Sequence, residues 1–261
     1  RYGGVCHIDV ANLDAAGAKQ IRGMLTGFGL AISSLGYYPN PLSPDQGHRD
    51  EVIGHLKKVI DAAAMLEVGV VGTFVGADHA KNADANLEEF AKVWPPIVRY
   101  AGERGINLAI ENCPMLWPDT WPGGSNVAYS PAIWRRMFEI IPDENFGLNY
   151  DPSHLIWQMI DEVRPIAEFK ERIFHVHAKD LEIDREMLYE DGVLGAGFRW
   201  EIPRLPGLGE VRWDRFMAAL YAIGYDHVVS IEHEDAAFEG SEERVKRGFY
   251  LARDVLAPYV V

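Results

Sequence analysis

Cysteine is scarce in this chain: Cys6 and Cys113 are the only two. One pair cannot build the disulfide framework of a small secreted domain, so the expectation is a protein of the reducing cytoplasm. Long apolar runs are missing as well. None approaches the roughly 18 residues that a membrane-spanning helix requires, and the start at Arg1 does not read as a secretion signal. Positive charge is in deficit: 25 Lys and Arg stand against 39 Asp and Glu, a formal net charge of −14. Nucleic acid and anionic membranes both call for a positive surface, so neither is expected as a partner. A glycine-rich dinucleotide turn, a P-loop and internal repeats are absent too.

What is present suffices for one sizeable core. At 261 residues and 48% hydrophobic side chains, the chain suits a single domain over 1–261. Short apolar runs alternate with longer amphipathic stretches, the mark of βα units around a parallel sheet. Strands are expected at 30–35, 68–75, 106–111, 146–151, 173–178 and 227–232, with a weaker seventh at 198–202. Helices are expected at 14–28, 49–66, 86–104, 131–141, 165–170, 213–223 and 241–256. Several strands are apolar throughout, as when helices cover one face and a barrel interior the other. The fold class is therefore α/β, a (β/α)8 TIM barrel whose first βα unit is missing from the numbered chain. Two long loops, 113–129 and 180–211, follow strands and belong on the carboxyl-end face, where barrel enzymes do their chemistry.

The strand ends carry the chemistry. NLAIEN ends on Glu111, GLNYDPSH holds Asp151, FHVHAKD holds His177 and VVSIEHED holds Glu232. In a barrel these ends converge, and three crowded carboxylates repel one another unless a cation compensates them. One imidazole among carboxylates favours Mn²⁺, Mg²⁺ or Co²⁺ over Zn²⁺. Asp151 has a second reading as a helix cap before Pro152. Glu111 and Glu232 have no such alternative, because a carboxylate closing an apolar strand is costly to bury unpaired. His175 lies two residues deeper on the same strand face and reads as a hydrogen-bonded core histidine.

In this order, IEN, NYDPSH, HVHAKD and SIEHED resemble the xylose-isomerase-like TIM-barrel superfamily, within it the sugar phosphate isomerase/epimerase family with its ketose 3-epimerase and inosose dehydratase relatives. The resemblance runs from about residue 30 to the C-terminus and includes PGLGEVRWDRFMAAL. It implies a metal site on Glu111, Asp151, His177 and Glu232, with Glu111 and Glu232 also the catalytic acid–base pair. It implies substrate contacts for His154 and Lys179, a positioning role for Asp180, and frequent pairing into homo-oligomers.

The expected chemistry is proton abstraction beside the carbonyl of a carbohydrate, through a metal-stabilised enediolate. Tyr37, Tyr38, Trp117 and Trp121 are candidates for the pocket wall, or else pack the loops. Arg199, Arg204 and Arg212 are candidates for meeting an anionic group of the substrate. The runner-up is a lyase or dehydratase acting on a keto-inositol or 3-keto-glycoside with the same metal and base. An endonuclease IV-type nuclease is disfavoured by the acidic balance. A Schiff-base aldolase on Lys179 and a non-catalytic sugar-binding barrel complete the alternatives.

Overall fold

A computed structural model describes residues 7–260 apart from 118, 119 and 196, with the backbone alone at 117 and 120–123. Six parallel strands form one sheet: β1 (Leu35–Gly36), β2 (Val70–Thr73), β3 (Asn107–Glu111), β6 (Phe146–Tyr150), β7 (Ile173–Ala178) and β10 (Val229–Ile231), in the order β1-β2-β3-β6-β7-β10. Two antiparallel pairs stand outside it. They are β4 (Leu116–Trp117) with β5 (Thr120–Gly124), and β8 (Asp180–Ile183) with β9 (Glu201–Arg204). The parallel sheet is curled, because β7 touches β2 as well as β3 across its inner side. Among the described residues its end strands, β1 and β10, are not paired with each other.

Helices lie between the strands: α1 (Ala15–Gly27), α2 (Gln46–Leu66), α3 (Ala83–Gly102), α4 (Pro131–Ile140), α5 (Ser153–Ile156), α6 (Arg164–Glu168), α7 (Arg185–Asp191), α8 (Trp213–Ala222) and α9 (Glu242–Leu256). The longer ones start where a side chain satisfies an orphan amide. Asp14, Asp45, Asn82 and Ser241 accept from the amides of Gly17, His48, Ala85 and Arg244. Their apolar stripes bury Leu56 and Ile60 of α2, Phe90 and Trp94 of α3 and Trp134 of α4. Tertiary hydrogen bonds finish the seating: Trp94 Nε1 donates to Val75 O at 2.9 Å and Trp134 Nε1 to Ala128 O at 2.7 Å. Strand β6 is buried at all five positions, as expected for a strand covered on both faces.

Two strand expectations need correction. Of 30–35, only Leu35 is a strand residue, and Leu30 is 60% exposed. Its apolarity faces solvent, and hydrogen-bonded pairing with β2 begins at Leu35. The seventh run, 198–202, is no barrel strand: β9 folds back antiparallel on β8, with Ile183 opposite Glu201 and Asp180 opposite Arg204. Its apolar side chains serve a separate cluster, in which Trp200, Trp157, Leu181 and Ile183 are buried together. A short apolar run does not reveal which neighbour will bury it. The long loops are thus largely built, one as β4–β5 and the other as β8, α7 and β9.

Candidate metal and catalytic site

The carboxyl ends of β3, β6, β7 and β10 bring Glu111, Asp151, His177 and Glu232 together. One oxygen or nitrogen from each lies within 4.8 Å of all the others. Backbone ties fix this meeting. Asn112 Nδ2 donates to Asp151 O, and Asn112 Oδ1 accepts from Asp151 N, both at 2.8 Å, which clips the ends of β3 and β6 together. Asn126 donates to the carbonyls of Glu111 and Cys113 at 2.9 and 2.6 Å and accepts from the amides of Val75 and Gly76. Neither asparagine was singled out from the sequence. For Asn112 the available signal was an amide side chain directly beside a strand-closing acid; Asn126, between Ser125 and Val127, carries none.

Asp151 divides its two roles between its two oxygens. Oδ1 accepts from Ser153 N at 2.8 Å and Ser153 Oγ at 2.6 Å, as a cap would. Oδ2 faces the cluster, 3.4 Å from His154 Nε2 and 3.2 Å from Lys179 Nζ. Glu232 Oε2 lies 3.0 Å from His177 Nδ1 and 3.2 Å from Lys179 Nζ, whose third partner is Glu234 at 3.2 Å. Glu111 Oε1 is 3.7 Å from both His154 Nε2 and His177 Nδ1.

Without a cation, Lys179 and a protonated His177 supply the balancing charge. Burial works against the charge on His177, but Glu111 and Glu232 hold its proton and push its pKa up to about 10. Burial likewise opposes Lys179, and Asp151, Glu232 and Glu234 nevertheless hold its pKa well above the usual range. For Glu111, burial is outweighed by the imidazoles of His154 and His177 and by Lys179, and the carboxyl stays well below the usual range. Glu232 is lowered against burial by Lys179 and His177. Glu201, on β9, is shifted upward by burial, with His154 and Lys179 pulling the other way.

The donor set fits a divalent cation on a second ground. Asp151 Oδ2, Glu232 Oε2 and both ring nitrogens of His154 are buried without a hydrogen-bond partner, the contacts among these residues, Lys179, His177 and Glu111 being ion-pair contacts at 3.0–3.7 Å. Buried polar atoms are ordinarily satisfied, and carboxylate oxygens left open inside a ring of donors are what a cation coordinates.

The other sequence candidates separate. Tyr38 turns inward: Asn149 Nδ2 donates to its hydroxyl at 3.5 Å, and burial together with Glu111 and Glu232 raises its pKa well above the usual value. A Cβ at Gly72 would come within 2.7 Å of that hydroxyl and one at Gly36 within 2.9 Å of its ring, so both glycines make room for it. Tyr37 turns the opposite way, onto His55 at 4.6 Å between ring centroids, beside a cavity of about 860 Å³ that also lies against Met24 and Leu25 of α1. His175 is the core histidine, held by Asn149 Oδ1 and Ser33 Oγ; burial and the nearby His177 charge lower its pKa to about 4. The three arginines are not brought to the cluster. Arg199 pairs with Asp191 at the surface, Arg204 with Glu182 and Asp235, and Arg212 with Asp161 and Glu162. The side chains of Trp117 and Trp121 lie outside the described residues. Asp180 does not reach the cluster as a ligand; it holds the turn before α8.

A curled parallel α/β sheet with acids and an imidazole gathered at its strand ends defines a TIM-barrel protein with a candidate metal centre. Residues 4–254 match the model of the xylose isomerase-like TIM barrel family, and the chain belongs to that family. It is 30% identical over 241 residues to Bacillus subtilis YfiH, a protein described as uncharacterized, covering 79% of this chain and 72% of that one. An IolI protein solved with a zinc atom has a TM-score of 0.69 at 17% identity, over 96% of this chain and 84% of that one. D-psicose 3-epimerase from Clostridium cellulolyticum H10, solved with D-tagatose, has a TM-score of 0.69 at 15% identity, over 96% and 86%. At such identities the two structures establish likeness of fold. No helix among the described residues is long and apolar enough to cross a membrane.

Proposed function

We propose that this chain is a divalent-metal-dependent isomerase or epimerase that moves a proton beside the carbonyl of a sugar-like compound. The observation carrying this reading is the convergence of Glu111, Asp151, His177 and Glu232 within 4.8 Å, two of the four being glutamates able to exchange protons. Support comes from the epimerase neighbour solved with a ketohexose and the neighbour holding zinc. Glu111, Asp151, His177 and Glu232 would hold the cation, Mn²⁺ being favoured by the oxygen-rich set, with Mg²⁺, Co²⁺ or Zn²⁺ as alternatives. When bound, the cation supplies Lewis acidity toward adjacent substrate oxygens.

The residues do the rest. One glutamate, Glu232 or Glu111, takes the proton from the carbon next to the carbonyl. The C–H electron pair becomes a C=C bond, and the carbonyl π pair moves onto oxygen. For epimerisation the other glutamate returns a proton to the same carbon from the opposite face and the oxygen's pair re-forms the carbonyl. For isomerisation the proton goes to the neighbouring carbon, while the hydroxyl on the carbon that lost its hydrogen passes its proton to the enolate oxygen and becomes the new carbonyl. Lys179 holds Glu232 and Asp151 in place through its ion pairs. His154 and Tyr38 would donate to substrate oxygens; the ring nitrogens of His154 have no hydrogen-bond partner of their own.

The test is incubation of metal-replete protein in D₂O with ketoses, keto-inositols and keto-glycosides. Deuterium should enter at carbon, and Glu232→Gln and Glu111→Gln should each slow that exchange by roughly 10²–10⁴-fold. Bound sugars whose carbon-bound hydrogens never exchange would refute the proposal.

A further inference from the structure

Below the four strand-end donors the barrel core is polar. Asn149, 1% exposed, lies on β6 two residues before Asp151 and so points to the same face. A break in register aims its side chain. Leu148 pairs with Ile173, but Asn149 pairs with His175, which leaves Phe174 as an extra residue of β7. Gly147 makes that crowding possible, since a Cβ there would come within 2.5 Å of the Phe174 ring.

The hydrogen bonds around Asn149 run in one direction. Ser33 Oγ lies 3.3 Å from His175 Nε2, His175 Nδ1 lies 3.0 Å from Asn149 Oδ1, and Asn149 Nδ2 donates to the Tyr38 hydroxyl at 3.5 Å. His175 is buried, has no carboxylate among these partners and stays neutral, so its ring carries one proton. Asn149 Oδ1 can only accept. The ring proton is therefore on Nδ1, and Nε2 accepts from Ser33. At the far end the Tyr38 oxygen is occupied as an acceptor, which leaves its own proton for another group. Among the described residues that proton is donated to none. Glu111 and Glu232 are close enough to act on the phenol, so its hydroxyl belongs to their site. Hydrogen bonds in series polarise one another, by roughly 10–30% per bond. A donor already aimed at an oxygen that gains charge in the transition state accelerates the reaction.

We propose that Ser33, His175 and Asn149 are positioning residues for Tyr38. They form a one-way hydrogen-bond chain through the barrel core that turns the Tyr38 proton toward the oxygen gaining charge as the carbon-bound proton leaves. The direction of the chain is independent of the proton-transfer reading; the catalytic use of Tyr38 rests on it.

Nitrogen-15 NMR of histidine-labelled, metal-free protein reads the direction, with the His175 signals assigned by their loss in His175→Gln. His175 should carry its proton on Nδ1; a proton on Nε2 overturns the chain. The use of Tyr38 is read by deuterium exchange on protein saturated with metal, with the panel sugar that exchanges fastest. Asn149→Asp keeps the size of the side chain, but its carboxylate accepts from Tyr38 instead of donating to it and turns the phenolic proton away. Asn149→Asp and Tyr38→Phe should each lower kcat for exchange by roughly 10²-fold, with KM changed by less than about threefold, because the lost interaction belongs to the transition state. The double variant should be no slower than either single one. Exchange at the wild-type rate in either single variant, or a double variant slowed by the product of the two effects, overturns the proposal. A wild type that exchanges no sugar counts against proton transfer and removes the catalytic role of Tyr38, while the His175 proton still decides the chain. Should Asn149→Asp not fold, Tyr38→Phe and the His175 proton decide.

Discussion

Lys179 shows how much one side chain can carry. Its ammonium is nearly buried and lies 3.2 Å from each of Asp151, Glu232 and Glu234. Removing one partner of a buried charge network costs roughly 3–5 kcal/mol, because the remaining charges are left uncompensated. Lys179→Met is therefore expected to destabilise metal-free protein by that order in urea unfolding. A divalent cation should recover most of the loss, since it supplies the missing positive charge. Equal destabilisation with and without metal would show that Lys179 balances nothing a cation can replace. Legibility ran unevenly at this scale. The four donors were readable because each closes or nearly closes an apolar strand, where, the cap reading of Asp151 aside, an acid or imidazole has no ordinary reason to be. Tyr37 and Tyr38 were not separable, because one residue's step along the backbone reverses the direction of a side chain, and packing alone shows which faces the barrel.

At the level of elements, the strand ends are held by amide clips and by the β8–β9 roof. Asn112→Ala removes two 2.8 Å bonds to the backbone of Asp151 and leaves its buried amide and carbonyl unpaired. The expected cost is about 1–3 kcal/mol per orphaned group, read by chemical denaturation, with weaker metal binding because β3 and β6 lose their register at the site. Unchanged metal affinity in a destabilised variant would confine the clip to a structural role. In the roof, Trp200 is 1% exposed against Trp157, Leu181 and Ile183. Trp200→Ala should cost about 3–5 kcal/mol, and loss of that cluster should loosen β9 and with it Glu201. The helices were legible as elements, but those expected from 49 and 86 begin at Gln46 and Ala83, where Asp45 and Asn82 cap them; the helix at Ser241 begins where expected. The partner of a short strand was not legible, and so the run at 198–202 went to the wrong sheet.

For the whole molecule the governing quantity is the linkage of metal, protons and folding. A ligand imidazole must be neutral, whereas His177 in the metal-free protein keeps its proton up to about pH 10. Metal binding should therefore release the His177 proton at pH values below about 10, with affinity rising as pH rises. Calorimetry in buffers of different ionisation enthalpy measures the released proton, and a pH-independent affinity would remove His177 from the ligand set. For metal-free stability the same raised pKa acts in the opposite direction: the contribution of His177 is intact below 6.5 and is lost as pH climbs toward about 10. Metal should also raise the melting temperature, by the equivalent of about 2.7 kcal/mol at a hundred times the dissociation constant.

The sequence by itself determined the alternation of strands and helices and the chemical identity of the four strand-end donors, because periodicity and side-chain type are local properties. Only the tertiary structure decided that those donors meet within 4.8 Å, that Lys179 stands among them, and that the three arginines are committed elsewhere. It also decided that Asp180 holds the turn before α8 and not the cluster. The physical reason is the same in each case. Which charges neutralise one another depends on distances between residues far apart in the chain, and the folded packing sets those distances.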